Sequence, residues 1–287
     1  SGPADGAATA NNAPAFAFAS PTASSTFECQ IDGGGFGACT TPHTTPTLGD
    51  GSHTFQARAL DPAGNIDASP AGRTFSVDTT PPDTSITTGP AEGSVSAVTT
   101  PAFGFASTEA GSTFVCAVDT GAVAACASPL TTPALTDGPH VFAVKATDAV
   151  GNADQTAVLR NFTVLRPLTF STGKAGKVRV SKSRGASLKE PTATCPAGTP
   201  ACTVVITASA KLSRSKKAKR VSIGSKTKQL AAGATGKLSF TLSSKAFKAL
   251  KKLKRLSVSL TIVGTHGTLT VTKKASVTLL APAKPKH

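Results

Sequence analysis

Along residues 1–164, apolar and polar positions alternate with a period of two, in short runs separated by clusters of Gly, Pro, Asp and Thr. Between 140 and 148, His140, Phe142, Val144, Ala146 and Asp148 fall on one face, and Val141, Ala143, Lys145 and Thr147 on the other. Phe16/Phe18 and Phe103/Phe105 alternate in the same way. Successive side chains of a strand point to opposite sides, so this pattern predicts half-buried strands rather than helices. Within residues 78–164 the expected strands lie near 84–87, 102–107, 113–118, 122–126, 130–132, 140–147 and 158–164. Turn residues recurring at intervals of about 8–12 positions are the spacing of an all-β sandwich.

From residue 165 the pattern continues in a different composition. Ser, Lys, Ala, Leu and Val take over, and strands are expected at 177–181, 201–207, 220–223, 236–242, 256–263 and 268–280, the last broken near Lys273-Lys274. One segment departs from the period of two. Over 244–255, Phe247, Leu250 and Leu253 are spaced as on a helix, with Ser243 or Ser244 as N-cap and basic residues at the C-terminal end, where the helix dipole favours them. Two roles stand open: a short helix crossing one end of a sandwich, or a basic amphipathic helix meeting anionic lipid or nucleic acid.

The alternating region is a repeat. Residues 1–77 slide onto 88–164 without a gap and with identity at about half the positions. Pro14-Ala15-Phe16 matches Pro101-Ala102-Phe103, Gly64-Asn65 matches Gly151-Asn152, and Phe75-x-Val77 matches Phe162-x-Val164. A constant period sets the architecture. Ser1 aligns with Thr88, so the first repeat begins inside a module. Equivalents of Asp78–Thr87, and an export signal, are expected upstream.

The six cysteines form three close couples: Cys29/Cys39, Cys116/Cys126 and Cys195/Cys202. Pairing within each couple is the simplest of the 15 possible connectivities. Cys29 and Cys39 lie symmetrically about Gly34, facing each other across an expected hairpin. The spacings fit the short C-x₂₋₄-C of zinc sites poorly, so structural disulfides are expected, with no metal or cofactor. Fourteen Phe with no Trp, Tyr or Met imply thin cores of the kind that disulfides support in exported proteins.

Charge divides the chain. Residues 1–164 carry 4 Lys+Arg against 14 Asp+Glu, and residues 165–287 carry 26 Lys+Arg against Glu190 alone. The balances are −10 and +25, which bears on partners rather than on fold. The densest basic runs are Lys211, Arg214, Lys216, Lys217, Lys219 and Arg220, then Lys245, Lys248, Lys251, Lys252, Lys254 and Arg255. In a sandwich they would lie in a turn and at one end, forming a basic rim. No apolar run of about 18 residues predicts a membrane-spanning helix.

The run Asp-Gly-x-His-x-Phe-x-x-(Arg/Lys)-Ala-x-Asp-x-x-Gly-Asn, at 50–65 and 137–152, resembles the bacterial immunoglobulin-like repeats of large secreted and cell-surface proteins. Asp78-Thr79-Thr80-Pro81-Pro82-Asp83-Thr84 resembles the joint between such repeats, and residues 165–280 resemble the basic β-domain that ends such proteins. The resemblance implies tandem Ig-like sandwiches acting as spacers or adhesive modules, not an enzyme, and function argued from it is analogy. The expected organisation is one repeat over 1–77 lacking its first strand, a complete repeat over 78–164, a basic β-sandwich with one short helix over 165–280, and a tail over 281–287.

Within the motif, the Asp-Gly and Gly-Asn pairs suit tight turns. His53 and His140 suit a structural role comparable to the corner Tyr of Ig folds. Asp61, Asp67, Asp78, Asp148 and Asp154 suit solvated turns rather than a Ca²⁺ site, which needs a denser ligand set. The five His (43, 53, 140, 266 and 287) are scattered, and none of the hydrolase, zinc-protease or phosphate-loop motifs occurs. Three functions stand: a structural or adhesive surface protein, a C-terminal module binding anionic wall polymer, acidic polysaccharide or, non-specifically, DNA, and an ancillary carbohydrate-binding region of a secreted enzyme. Attraction of the basic domain to the acidic repeats of another copy is a further possible contact. The expected location is extracellular, at the cell surface.

Overall fold

The computed structural model describes residues 1–173, 176–198, 200–215 and 217–283. The chain packs as two compact units. One comprises Ser1–Thr88, Gly104–Leu130 and Phe142–Leu159, and the other Gly89–Phe103, Thr131–Val141 and Arg160–His287. The described residues are all-β apart from a single α-helix.

The first repeat contains β1 (Ala7–Thr9), β2 (Ala15–Phe16), β3 (Thr26–Ile31), β4 (Gly37–Cys39), β5 (His43–Thr44), β6 (Gly51–Leu60) and β7 (Ala71–Val77). They form a sheet in the order β1-β7-β6-β3-β4 facing the short pair β2-β5. The second contains β8 (Thr84–Thr88), β9 (Ser94–Ser96), β10 (Ala102–Ser107), β11 (Thr113–Val118), β12 (Ala124–Cys126), β13 (Leu130–Thr131), β14 (Gly138–Thr147) and β15 (Val158–Val164). Its sheets run β12-β11-β14-β15-β9 and β13-β10-β8, the same plan with β8 added. Strands β1 and β9 escaped sequence reading because three residues give no alternation. Each pairs in parallel with the last strand of its repeat.

The hairpin carrying the first disulfide is offset from the expected symmetry. Phe27 lies opposite Cys39 and Cys29 opposite Gly37, so the cysteines are diagonal neighbours, with Cα atoms 5.8 Å apart. The turn centres on Asp32-Gly33 instead of Gly34. Both residues have positive φ, 53° and 72°, and the Gly34 N–H donates to the Ile31 carbonyl at 2.9 Å. That is the backbone a two-residue turn with the native twist demands, and Gly adopts it freely. Phe16 then stacks on Phe55 at 4.2 Å between centroids, in a core completed by Phe75, Val77, Ala57 and Cys29.

The C-terminal region comprises β16 (Thr169–Phe170), β17 (Lys177–Arg179), β18 (Gly185–Thr194), β19 (Cys202–Ala210), β20 (Val221–Leu230), β21 (Thr235–Thr241), α1 (Ser244–Leu253), β22 (Arg255–His266) and β23 (Leu269–Leu280). Sheets β16-β18-β21 and β17-β23-β22-β19-β20 enclose a core of Val204, Ile206, Ala208, Leu238, Phe240, Leu242, Val258, Leu260 and Ile262. Strand β18 was not expected, because Glu190-Pro191 interrupts its pattern. A register shift between Ser187 and Thr192 takes the proline out of the ladder, as a bulge does. Strand β23 runs unbroken through Lys273 and Lys274, which pair with Ile262 and Thr261.

Helix α1 closes this core. The Ser243 hydroxyl accepts from the Ala246 N–H, and Lys254 ends the helix in the left-handed region at φ 66°. Ala246 and Leu250 are fully buried while Phe247 and Leu253 are partly so. The expected helix therefore forms and packs inward, with Ala246 taking part of the buried place expected for Phe247.

Candidate polyanion-binding groove

Strand pairing decides where the basic runs go. Strand β19 is the shared neighbour of β20 and β22, with Ala210 opposite both Val221 and Val258. The 211–220 connection therefore leaves the sheet at the end where β22 begins with Arg255. Strand β23 ends there too, since Arg255 pairs with Leu280, and β17 joins it through Lys177 opposite Thr278. Continued as strand, the connection would turn basic residues inward whichever face met the core, Lys211, Lys217 and Lys219 on one side or Arg214 and Arg220 on the other, which burial disfavours.

The result is an open groove of about 670 Å³. Lys177, Lys211, Arg214, Arg220 and Arg255 line it, over a floor of Leu253, Leu256 and Leu280 with the hydroxyls of Ser213, Ser257 and Thr278. None of these lining residues is acidic. Arg220 is oriented by a hydrogen bond from its Nη2 to Ser259 Oγ. Glu190, the single carboxylate of residues 165–287, accepts instead from the Ser171 hydroxyl. Several cations around one concavity raise the potential there and concentrate anions.

Of the residues singled out in the sequence, Lys211, Arg214, Arg220 and Arg255 converge here. Lys177 joins them, unforeseen because it is a lone charge beside a strand. Only its parallel pairing with the last strand carries it to the same end, and an isolated lysine gives no sequence signal of that. Lys251 and Lys254 line a separate hollow of about 420 Å³ with Lys182, Phe247 and Ala281–Ala283, and the Lys251 Nζ sits 4.9 Å above the Phe247 ring. Lys217, Lys219, Lys245, Lys248 and Lys252 are exposed and line neither. Lys216 and His287 lie outside the described residues.

The three cysteine couples stand as disulfides, Cys29–Cys39, Cys116–Cys126 and Cys195–Cys202. The motif residues brace the repeats. His53 Nε2 donates to the Gly49 carbonyl at 2.8 Å and Nδ1 meets Asp32 Oδ2 at 2.7 Å, so both ring nitrogens face acceptors. The Asp32 hydrogen bond, helped by the Gly49 carbonyl, holds the imidazole above its usual range. Burial pushes the Asp32 carboxyl up, but hydrogen bonds from His53 and the Thr54 N–H outweigh it and hold the group below the usual carboxylate range. His140 Nε2 likewise donates to the Thr136 carbonyl at 2.8 Å.

The aspartates of the Asp-Gly turns do more than turn the chain. Asp50 accepts from the Thr79 N–H, the Thr79 hydroxyl and the Thr80 hydroxyl. Its equivalent, Asp137, accepts from Arg166 Nε at 2.6 Å, and Arg166 occupies the position equivalent to Thr79. Each Asp thus clamps the segment leaving its own repeat. The Asp137 side chain is fully buried. Beside it, His266 donates from Nδ1 to the Arg166 carbonyl at 2.7 Å. Asp78, Glu109 and Asp148 bring their carboxylates within 4.8 Å of one another. Burial first, then the charges of Asp78 and Asp148, push the Glu109 carboxyl up.

Neither a protein-family model nor a curated protein matches the chain. Among solved structures it is similar to the fibronectin(III)-like modules of Clostridium thermocellum CbhA, with 18% identity over 56% of this chain and 90% of that one and a TM-score of 0.38. It is also similar to the three N-terminal domains of the highly immunogenic outer capsid protein (Hoc) of bacteriophage RB49, with 12% identity, 96% of each chain covered and a TM-score of 0.32. Extracellular cadherin domains 3–6 of protocadherin gamma B2 match with 15% identity, over 98% of this chain and 72% of that one, at a TM-score of 0.34. These likenesses are remote, and the fold rests on the strand pairing described above.

Proposed function

We propose that this chain is a non-enzymatic extracellular segment, structural or adhesive, whose repeats carry a C-terminal domain that grips an anionic polymer. The observation that supports this most is the convergence of Lys177, Lys211, Arg214, Arg220 and Arg255 on one groove lined by no acid. Disulfides persist in oxidising compartments, which favours an exported protein, and no helix of the described residues is long and apolar enough to cross a membrane. The domain's aromatic side chains favour charge over stacking: Phe240 is buried, and Phe247 lies partly buried beneath Lys251. Recognition is then of backbone charge, so acidic wall polymers, acidic polysaccharides and DNA compete for the same groove.

Titration of the full chain with wall teichoic acid, polyglutamate and duplex DNA across a salt series tests the reading. All three should bind, each losing affinity linearly in log salt. Affinity indifferent to salt, or no binding at low ionic strength, overturns it.

A further inference from the structure

The repeats hold acid that their own cations do not neutralise. Residues 1–164 carry four basic residues. Arg58 pairs with Glu28 at 2.6 Å and Arg160 with Glu92 at 4.0 Å. Arg73 donates to the Pro3 carbonyl, and the Lys145 charge reaches Asp154. The joint between the repeats lies outside this compensation. Asp78, Glu109 and Asp148 crowd within 4.8 Å of one another there. Asp50 is tied to the same joint through Thr79 and Thr80. Asp83 joins it through main-chain hydrogen bonds to Thr108, the neighbour of Glu109. Among the described residues, none of these five carboxylates is in an ion pair.

The joint is also held firmly. Asp148 Oδ1 accepts from the N–H groups of Val150, Gly151 and Asn152. Asn152 Nδ2 donates both to Asp148 Oδ2 and to the Asp78 carbonyl. Carboxylates fixed in this way lose little freedom on meeting a partner. The groove of the C-terminal domain carries the opposite surplus, five cations with no acid among its lining residues.

We propose that the groove of one copy receives the acidic joint of a second copy, Asp83 and Glu109 foremost, so that chains associate head to tail. This rests on the reading of the groove as an anion site. Asp83 is exposed and Glu109 half-buried, and among the described residues neither carboxylate accepts a hydrogen bond. Three of the five groove cations are Arg, whose planar fork binds a carboxylate through two parallel N–H···O bonds. Burial, then the charges of Asp78 and Asp148, already raise the Glu109 carboxyl, and an incoming guanidinium relieves that crowding. Site and occupant are different surfaces, so the contact is heterologous, and every added copy leaves one of each unfilled. The net charge of +15 sets copies against each other at long range. In about 0.1 M salt the screening length of about 10 Å hides distant charges and leaves the local contact.

Sedimentation velocity of the full chain tests this. In about 0.1 M salt the average mass should climb with protein concentration without settling at a dimer, and in about 1 M salt, where the screening length is about 3 Å, it should return to the monomer. Asp83→Asn with Glu109→Gln neutralises the joint, and Arg214→Ala with Arg220→Ala disables the groove. Each double variant alone should stay monomeric over the range in which the parent assembles. Mixed in equal amounts, they should form a dimer and stop there. The intact joint of one fills the intact groove of the other, and no second pair of intact surfaces remains. A misfolded variant could not complement in this way. Polyglutamate should disperse the parent assemblies by competing for the groove, and the joint variant should bind duplex DNA as the parent does. A parent that stays monomeric in 0.1 M salt, assembly that survives 1 M salt, a joint variant that assembles like the parent, or a mixture without dimer overturns the proposal. A monomeric parent that still binds DNA removes this contact and leaves the groove reading standing, whereas loss of both removes both.

Discussion

Arg166→Met is the substitution whose cost is best defined by the structure. The Asp137 carboxylate is fully buried, and its described hydrogen bond comes from Arg166 Nε at 2.6 Å. Among the described residues its second oxygen has no hydrogen-bond partner. Removing one member of a buried ion pair costs about 3–5 kcal/mol, because the survivor keeps its desolvation penalty and loses its partner. Here the Arg166 side chain is 39% exposed, so solvent screens part of the attraction and about 2–3 kcal/mol is the expected loss. For a unit of this size each kcal/mol lowers the melting temperature by about 4 °C, giving a drop of roughly 8–12 °C. Methionine preserves most of the side-chain length, which limits the packing contribution. Scanning calorimetry of the parent, Arg166→Met, Asp137→Asn and the double variant completes a thermodynamic cycle. Neutralising the carboxylate should recover more than half of the loss. A single variant within about 0.5 kcal/mol of the parent, or a double variant no more stable than Arg166→Met, would refute the reasoning.

Three other outcomes are expected. His53 has a raised pKa and Asp32 a lowered one. The histidine contribution is therefore fully present below the ordinary imidazole value of 6.5 and fades as pH rises through the raised value, while the aspartate contribution fades as pH falls through its lowered one. Unfolding of the first repeat against pH should show this window, and His53→Gln should remove its alkaline edge. Leu250→Ala, at a fully buried site in α1, should cost about 2–5 kcal/mol in chemical denaturation, whereas Lys248→Ala on the exposed face should cost under about 0.5 kcal/mol. Gly224→Ala should be among the most damaging small substitutions, because its Cβ would lie 2.1 Å from the Thr241 carbonyl oxygen. Circular dichroism melting that leaves this variant unchanged would contradict the packing of β20 on β21.

The fold was legible wherever alternation ran long enough. Strand β14 shows its period of two over ten residues, and the capped helix announced itself by Ser243 and by the spacing of Leu250. What stayed hidden depends on pairing rather than composition. Glu190-Pro191 disguised β18, since no local signal says that a bulge will absorb a proline. The diagonal cysteine pair differs from the symmetric one only through the turn, which follows the positive φ of Asp32 and Gly33. The groove was half visible. Two basic runs could be named, but that Arg214 and Arg255 line one groove, and that Lys245 and Lys252 do not, follows from the register of β19 on β22, and that Lys177 joins them follows from the pairing of β17 with β23. The clamping role of Asp50 and Asp137 was hidden for the same reason, because their partners lie about thirty residues downstream.

The salt dependence of polymer binding tests the central claim most directly. If the five groove cations neutralise five phosphates, log affinity for duplex DNA should fall with log salt at a slope of about −4.5, a loss of about 500-fold between 50 and 200 mM. Replacing Arg214 and Arg220 together by Ala removes two of the five, reducing the slope to about −2.7 and the loss to about 40-fold. Replacing Lys245 and Lys248, exposed on α1 and outside the groove, should leave the slope unchanged. Fluorescence anisotropy on one labelled duplex measures all three proteins. A slope that both pairs alter equally, or that neither alters, would contradict a binding site at the groove.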